Sequence, residues 1–470
     1  MAHRRILAGL VVLAITFSAI GQSTQISSSR GKTVINQNSV GSSFNVEMRG
    51  KIEITDDDRD IKSMSPDGYL EINKTVFGSR RTLIITPDGT GLKREYYEGR
   101  TQLPFEPEGR KWLAEVLLEL VRTTTLGAES RTNRFYRQGG VDAVLGEIGR
   151  MESDYVKAAY AKHLMALPVK ESEYVSIIEQ VASSIKSDHY LSNFLKDNLK
   201  KFMKNKQATD AVFAASATMH SDHYQTEVIK TALRTQEASA SSVKVILRAA
   251  GQMSSDHYKT EVMNTLLQQE LTDEIMSEMI ASTKSIGSDY YRSSVLKKAL
   301  GKSGLSEASF AKTLESVKDI HSDHYKTEVL KYLIDNNLSG DIQNTLVMTS
   351  STIGSDFYVS SIYKEILNKQ KLSDDAFEKL IGGASQISSD HYASETLRAA
   401  LEAQPMNDKR LISIIVSAAN INSDHYITTV LVDAAPMVRS ADSPVKDAYR
   451  NTAKKIRSET YYGRALRAIE

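Results

Sequence analysis

Apolar side chains recur along most of the chain with the spacing of an α-helix. In the segment 322–354 they lie at Tyr325, Val329, Leu330 and Leu333, and a polar turn separates them from a second such stripe. Positions i, i+4, i+5 and i+8 share one helical face, whereas a strand would alternate. The segment therefore predicts two amphipathic helices, helix A and then helix B, joined by a short turn.

The same helix pair recurs at a fixed interval, marked each time by Ser-Asp-His-Tyr or a close variant. The steps between successive motif serines are 34, 34, 33, 34, 33, 34 and 34 residues. One amphipathic pair cannot bury its own apolar face, so a fixed period of this length indicates stacked units. We expect a mainly α fold, a right-handed αα-solenoid of about nine to ten repeats of roughly 33–35 residues over residues 153–470. The motif serines are Ser187, Ser221, Ser255, Ser288, Ser322, Ser355, Ser389 and Ser423.

The N-terminal third of the chain has a different pattern. Residues 44–106 alternate apolar and polar side chains between Pro-Asp-Gly turns, which predicts a small antiparallel β meander. Residues 107–152 regain helical spacing, with Trp112 in a wide apolar stripe, and we expect a helical cap on which the small sheet packs. Residues 22–43 are rich in Ser, Gly, Asn and Gln, and this composition favours a flexible leader.

Residues 1–21 have the features of a secretory signal peptide. Basic residues precede an apolar run from Ile6 to Ile20 that is short for a membrane span, and Gly21 ends a small-residue cleavage site. We therefore expect an exported protein, periplasmic or extracellular, with an uncleaved membrane anchor as the alternative. The sequence contains no cysteine, which excludes a lipoprotein, disulfides and zinc–thiolate sites.

The repeated tetrapeptide supplies the candidate residues, which we interpret as a structural motif. The slot after Asp holds His in most copies but Tyr290 and Phe357 in two, so ring packing explains it better than metal binding. The tyrosine opens the apolar stripe and is expected in the core. The aspartate is expected to contact a Ser or Thr four residues later and to cap its helix. The motif residues are Asp188, His189, Tyr190, Asp222, His223, Tyr224, Asp256, His257, Tyr258, Asp289, Tyr291, Asp323, His324, Tyr325, Asp356, Tyr358, Asp390, His391, Tyr392, Asp424, His425 and Tyr426.

The sequence offers little support for a catalytic relay, a calcium site or nucleic-acid binding. Adjacent Ser, Asp and His at a helix start point in different directions and cannot form a catalytic relay. Asp56, Asp57, Asp58 and Asp60 could bind calcium, but their spacing lacks the EF-hand pattern, and a solvated turn is favoured. The formal net charge of +1 gives no indication of nucleic-acid binding. We assign no catalytic, cofactor-binding or metal-binding residue and expect no cofactor.

The units resemble short HEAT-like helical repeats. Tetratricopeptide repeats have a similar length, but their Trp, Leu-Gly, Ala and Phe pattern is missing, and Trp112 is the single tryptophan. The phrase Ile-x-Ser-Asp-x-Tyr resembles repeats of secreted bacterial proteins and of the extracytoplasmic tails of some antibiotic-sensor-type membrane peptidases, over roughly residues 128–470. This resemblance implies an extracytoplasmic helical array and no activity, because the peptidase sequence His-Glu-x-x-His does not occur.

These observations favour a non-enzymatic, exported scaffold that binds a protein or peptide partner through the solenoid surface. Helix B segments are poor in charge, and residues 211–220 and 343–354 contain no Asp, Glu, Lys or Arg. A low-charge surface that includes methionine suits such a partner. Two alternatives stay open: a regulatory or sensory partner of an envelope peptidase, and a metal-dependent hydrolase that uses the repeated Asp-His pairs. We expect no nucleic-acid partner and no stable membrane insertion after signal cleavage.

Overall fold

The computed structural model describes residues 15–19, 22–29 and 32–470 and divides the chain into two compact units. Unit 1 ends at Thr218, and unit 2 runs from Met219 to Glu470. Most of the predicted signal peptide, residues 1–14, 20 and 21, lies outside the described residues. Within the described ranges, none of the helices has the length and apolar character of a membrane span.

Unit 1 begins with an antiparallel β-sheet. Eight of its strands form one sheet in the order β1-β2-β3-β4-β7-β8-β9-β10, and β5 pairs with β6 apart from it. Strands adjacent in sequence are adjacent in the sheet, as in the predicted meander, and the β5–β6 hairpin is inserted between β4 and β7. The described strands are β1 Ile15–Ala19, β2 Gln22–Ser29, β3 Lys32–Ser39, β4 Ser42–Arg49, β5 Ile52–Ile54, β6 Ile61–Met64, β7 Tyr69–Val76, β8 Ser79–Asp88, β9 Gly91–Glu98 and β10 Thr101–Leu103.

Residues 22–43 do not form a flexible leader, because β2, β3 and the start of β4 occupy them. In these strands Ile26 lies opposite Ile35, and Ile35 lies opposite Val46. Ile35 is buried, and its neighbours in β3, Val34 and Asn36, are only partly buried. The polar composition suggested disorder, but a strand with few apolar positions still extends a sheet when its neighbour offers a free edge and a buried face.

The sheet packs on the first helix, which is the arrangement expected for the cap. Alternate strand residues, among them Leu70, Ile72 and Leu83, are fully buried in a core shared with the helix that follows β10. The ring of Trp112 on this helix lies 5.8 Å from the ring of Tyr96 on β9, centroid to centroid. A single sheet needs a covered apolar face to be stable, and this shared core covers that face.

Six α-helices complete unit 1 in the part of the chain that the structure describes. The second of them is broken at Gly139 and Gly140, and Gly140 has φ 64°, which glycine adopts without a Cβ clash. The first Ser-Asp pair of the repeats, at residues 153 and 154, starts the third. The helices are α1 Arg110–Thr123, α2 Ala128–Ile148, α3 Asp154–Ala166, α4 Tyr174–Ser184, α5 Asp188–Phe202 and α6 Lys206–Ser216.

Unit 2 consists of helical repeats. Each odd-numbered helix is a helix A that packs on the next helix A, and each even-numbered helix is a helix B that packs on the next helix B. These two layers confirm the predicted αα-solenoid. The helices are α7 Asp222–Thr235, α8 Ala240–Gln252, α9 Asp256–Leu266, α10 Asp273–Ser282, α11 Asp289–Leu300, α12 Glu307–Lys318, α13 Asp323–Ile334, α14 Gly340–Ser350, α15 Asp356–Lys369, α16 Asp374–Ala384, α17 Asp390–Ala403, α18 Asp408–Ala418, α19 Asp424–Ser440, α20 Ser443–Ala453 and α21 Glu459–Ile469.

The two helix types begin in different ways. Several B helices start at a polar residue whose side chain accepts a hydrogen bond from a backbone N–H of the first turn, which satisfies a donor that the helix leaves unpaired. The serines that start the A helices of unit 2 make no such side-chain bond. The capping residues of the B helices are Ser239, Thr272, Ser306, Ser373 and Asn407.

Candidate functional site

Within each unit, the motif aspartate joins one repeat to the next. Its carboxylate accepts hydrogen bonds from backbone N–H groups at the start of the following helix A; Asp323 accepts from Gly354 at 3.2 Å and from Ser355 at 2.9 Å. A charged acceptor makes short, strong bonds to such N–H groups, so this row fixes each repeat against its neighbour. The bond to the next motif serine is 2.7–2.9 Å long for Asp154, Asp222, Asp256, Asp289, Asp323, Asp356, Asp390 and Asp424.

The predicted contact between this aspartate and the hydroxyl group four residues later is wrong. The hydroxyl groups are buried, but Thr428, for example, donates to the backbone carbonyl of Asp424 at 2.7 Å and not to its carboxylate. The spacing placed both residues on one helical face, yet the carboxylate is turned towards the N–H groups of the next repeat. Three of the hydroxyl groups have no hydrogen-bond partner, those of Ser192, Thr260 and Thr327.

The rings of the motif lie at the surface. The tyrosines are half-buried and the residues of the histidine slot are exposed; Tyr290 and Phe357, which fill that slot in two repeats, are 57% and 54% exposed. The expectation that the tyrosine belongs to the core is therefore wrong. In the repeat of Tyr325 the fully buried apolar residues start at Val329 and Leu330, because the tyrosine packs sideways on rings of its own and the preceding repeat.

In unit 2 these rings form one continuous row, which we call the ring ladder. Each tyrosine from Tyr258 to Tyr426 lies 5.0–5.2 Å from the slot ring of its own repeat and 5.7–6.1 Å from that of the repeat before, centroid to centroid. Consecutive rings are inclined by 53–68°. The ladder consists, in order, of Tyr224, His223, Tyr258, His257, Tyr291, Tyr290, Tyr325, His324, Tyr358, Phe357, Tyr392, His391, Tyr426, His425 and Tyr461.

Unit 1 contains the same kind of ring contact. Tyr190 lies 6.1 Å from the ring of Tyr155 and 5.2 Å from that of His189, centroid to centroid. Burial raises the pKa of the Tyr190 hydroxyl above its usual value. The rings of the motif therefore contact one another in the same way in both units.

The ladder separates its histidines. A tyrosine ring lies between one slot ring and the next, as Tyr258 lies between His223 and His257. Among the residues that the structure describes, no three His, Asp or Glu side chains come together in a way that could hold a metal ion. The ladder offers ring faces, ring edges and the hydrogen-bonding groups of imidazole and phenol.

Charged side chains beside the ladder pair with one another. Glu261 lies 3.9 Å from the imidazole of His257 and 3.1 Å from the ammonium group of Lys230 in the preceding repeat. Glu395 pairs with Lys364 at 2.7 Å, and this bond lowers the pKa of Glu395 below its usual value. Each of these two acids beside the ladder is therefore paired with a lysine of the preceding repeat.

The surface formed by the B helices exposes two large apolar side chains and contains a cavity. Met348 and Val416 are 60% and 52% exposed, and Gly382 holds the equivalent position in the repeat between them. A cavity of about 560 Å³ opens there, with Tyr363 and Gly383 in its wall. The methionine-containing face expected for helix B is reduced by burial of other methionines, namely Met219, Met253, Met276 and Met279.

In the acidic turn between β5 and β6, Asp56 and Asp57 are exposed, as expected for a solvated turn, but Asp58 is buried. Both oxygens of Asp58 accept from the buried guanidinium group of Arg131, at 3.0 and 2.9 Å, and Arg134 donates to Asp58 at 2.7 Å. Arg131 also donates to Glu147 at 2.9 Å. Burial alone would raise the pKa of Asp58, but the two guanidinium groups lower it below its usual value. These partners are 73 and 76 residues from Asp58, so the local sequence gave no signal of them.

Comparison with known proteins leaves the chain without a family. No protein-family model matches it, and neither does any of the curated proteins. One similar solved structure is described as "Computational Design of Self-Assembling Cyclic Protein Homooligomers", with 13% identity, 70% of this chain and 92% of that chain covered, and a TM-score of 0.10. Another is a "Circular tandem repeat protein with novel repeat topology and enhanced subunit contact surfaces", with 10% identity, 77% and 78% coverage, and a TM-score of 0.14. Such low scores carry no information about function.

Proposed function

We propose that the protein is a non-enzymatic binding scaffold whose ring ladder receives a protein or peptide partner. The exposure of a long row of aromatic and imidazole rings supports this proposal most directly. A contiguous row of exposed ring surface is unusual on a soluble protein unless it is an interaction surface. Tyrosine is also enriched at protein interfaces, because it joins a large ring to a hydrogen-bonding group.

The same geometry disfavours a hydrolase built on the Asp-His pairs. Such a site needs the carboxylate to orient the imidazole that binds a metal or transfers a proton. The aspartates of unit 2 instead accept hydrogen bonds from the backbone of the next repeat, as Asp390 does from Asn422 and Ser423 at 3.0 and 2.9 Å. A scaffold function uses these bonds directly, because they hold the rings at a constant spacing.

Export to the periplasm or the cell exterior is part of the proposal and is supported by the sequence of residues 1–21. N-terminal sequencing of the protein from its native host is expected to start near Gln22. Recovery of intact Met1 in a soluble cytoplasmic fraction would contradict export. Residues 15–19 form β1 beside β2, so cleavage after Gly21 would leave β2 as the edge strand of the sheet.

The scaffold proposal is tested by selecting peptides from a random display library on the full-length protein. Wild type is compared with the double variant Phe357→Ala/His391→Ala, which removes two exposed rings of the ladder. Tyr332→Ala is the matched control, because Tyr332 is a 47% exposed aromatic residue on α13 outside the ladder. Peptides should be enriched by wild type and by the control, and lost with the double variant. Equal enrichment by all three proteins would show that the ladder is not the binding surface.

A further inference from the structure

We propose that the ring ladder binds an extended, proline-rich segment in the polyproline II conformation, with one turn of the ligand over each repeat. This inference rests on the proposed function and adds the chemical class of the partner. Three properties of the ladder lead to it: the shape of its recesses, their interval, and the groups at their rims.

Six motif tyrosines of the ladder are half-buried between two exposed rings, and we infer that each is the floor of a shallow recess. At Tyr358 the flanking rings are His324 and Phe357, 6.1 and 5.1 Å away and inclined to the tyrosine by 56° and 65°. A recessed ring between two inclined, exposed rings forms a notch for a flat, rigid side chain. Aromatic-lined grooves of this kind are how several domain types hold the prolines of extended peptides. The floors of the six recesses are Tyr258, Tyr291, Tyr325, Tyr358, Tyr392 and Tyr426.

The interval expected between recesses is close to one turn of a polyproline II helix. This helix has three residues per turn and rises about 3.1 Å per residue, so one turn covers about 9 Å. Neighbouring packed helices are separated by about 8–10 Å, and each repeat of unit 2 adds one helix A beside the last. A proline at every third position can therefore enter consecutive recesses without stretching either partner.

The rims of the recesses carry the hydrogen-bonding groups that such a ligand needs. A polyproline II segment has no internal hydrogen bonds, so its backbone carbonyls remain free to accept. The ladder supplies an imidazole or a phenol at nearly every ring, and Phe357 is its one apolar member. A ligand already fixed in this conformation also loses little conformational entropy on binding, which favours it over a flexible peptide.

The inclination of the rings favours a peptide over a glycan. A linear oligosaccharide stacks the broad faces of its sugars on flat, coplanar ring faces. Consecutive rings of the ladder are instead inclined by at least 53°. Each exposed ring therefore borders a notch above an inclined tyrosine, and we take a glycan as an outcome of the test and not as the proposed ligand.

The test measures binding of synthetic peptides to the full-length protein by calorimetry. The probes are all-L Pro-Pro-Ser repeats of about 6, 9 and 12 residues, or two to four turns. A peptide of the same sequence with alternating D-prolines cannot form the helix and is the ligand control. A β-1,4-linked N-acetylglucosamine oligomer is the glycan control. Affinity is expected to rise with each added turn of the all-L peptide and to be lost with the D-proline peptide.

Two variants locate the binding on the ladder. Phe357→Ala removes a ring shared by the recesses at Tyr358 and Tyr392, and we expect it to weaken binding of the longest peptide at least about fivefold. Tyr332→Ala is expected to leave it unchanged. Both residues are exposed, and unchanged melting temperatures would show that both variants are folded.

The outcomes separate this inference from the scaffold proposal. Equal binding of the all-L and D-proline peptides, both dependent on Phe357, would overturn the polyproline II conformation and keep a peptide-binding ladder. Binding of the glycan alone would overturn both. If none of the all-L peptides binds, the inference is wrong, and the display selection described above still decides whether the ladder receives other peptides.

Discussion

Tyr363 occupies a helix A position that is leucine in neighbouring repeats, at Leu330 and Leu397, and this one change affects the facing helix. Its hydroxyl group is buried without a hydrogen-bond partner, and burial raises its pKa to about 12. The hydroxyl lies against Gly383, where any Cβ would overlap it and would lie 3.0 Å from Cζ of the same ring. Gly383 is therefore required by the tyrosine and not by its own backbone conformation.

We expect Gly383→Ala to lower the free energy of unfolding by about 1–3 kcal/mol through overpacking. In a Tyr363→Leu background the same substitution should cost less than about 1 kcal/mol, because the overlapping atoms are gone and alanine favours the helix. Urea denaturation of the two single variants and the double variant measures the coupling. Gly382→Ala is the matched control, since a Cβ there meets no atom within 4 Å. Equal effects at both glycines would show that the ring does not limit the space.

At the scale of the elements, periodicity predicted far more than composition did. Helical spacing located the A and B helices because a buried helical face requires apolar residues at regular intervals along the sequence. The composition of residues 22–43 was misleading, since β2 and β3 depend on pairing with neighbouring strands more than on their own residues. The residues around Asp58 did not indicate that it is buried, because its partners Arg131 and Arg134 are distant in sequence and come close to it only in the folded chain. Long-range pairing is the part that one sequence does not reveal.

The cluster around Arg131 connects the β5–β6 turn to α2. Arg131→Met would leave the carboxylates of Asp58 and Glu147 buried with one partner fewer, and we expect a loss of about 3–5 kcal/mol of unfolding free energy. Arg150→Ala is the matched control: its side chain is 67% exposed, it contacts Glu147 at 3.5 Å, and its loss should cost less than about 1 kcal/mol. Fluorescence of Trp112, buried between sheet and helix, reports unfolding. Similar losses in the two variants would contradict a structural role for burial of this cluster.

The same cluster predicts how stability in unit 1 depends on acid. Burial alone would raise the pKa values of Asp58 and Glu147, but hydrogen bonds from arginines lower both in the folded protein. A carboxyl group whose folded pKa is lowered stabilises the fold above its unfolded pKa of about 4, and this stabilisation is lost as pH falls through the folded value. The free energy of unfolding should therefore decrease below about pH 4, and less steeply in Arg131→Met. An identical pH dependence in the variant would contradict this assignment.

At the scale of the whole molecule, the repeat motif was visible in the sequence but its position on the surface was not. Tyr325 and Val329 lie on the same apolar face of their helix. The spacing does not show that neighbouring helices bury this face only from Val329 onwards. The position of the tyrosine depends on the rings of the repeat before it, which is a property of the array. For the same reason His324→Ala should cost only about 0.5–1.5 kcal/mol, the value of an aromatic pair, and not the larger cost of an emptied core site.

The array also determines how far damage spreads within unit 2. Stability in a solenoid is approximately a sum of repeat and nearest-neighbour terms, and Asp323 contributes to one such interface through Gly354 and Ser355. Asp323→Ala leaves these N–H groups without their acceptor, which we expect to cost about 1–3 kcal/mol. Amide hydrogen exchange should rise in α13 to α15, while α7 and α19 keep their protection. The matched control is Asp335→Ala, which removes an exposed ion pair to Lys369 in the next repeat and should leave exchange nearly unchanged. A uniform rise throughout unit 2 would show that its repeats unfold together, and unchanged exchange at residues 354 and 355 would show that the carboxylate does not hold the interface.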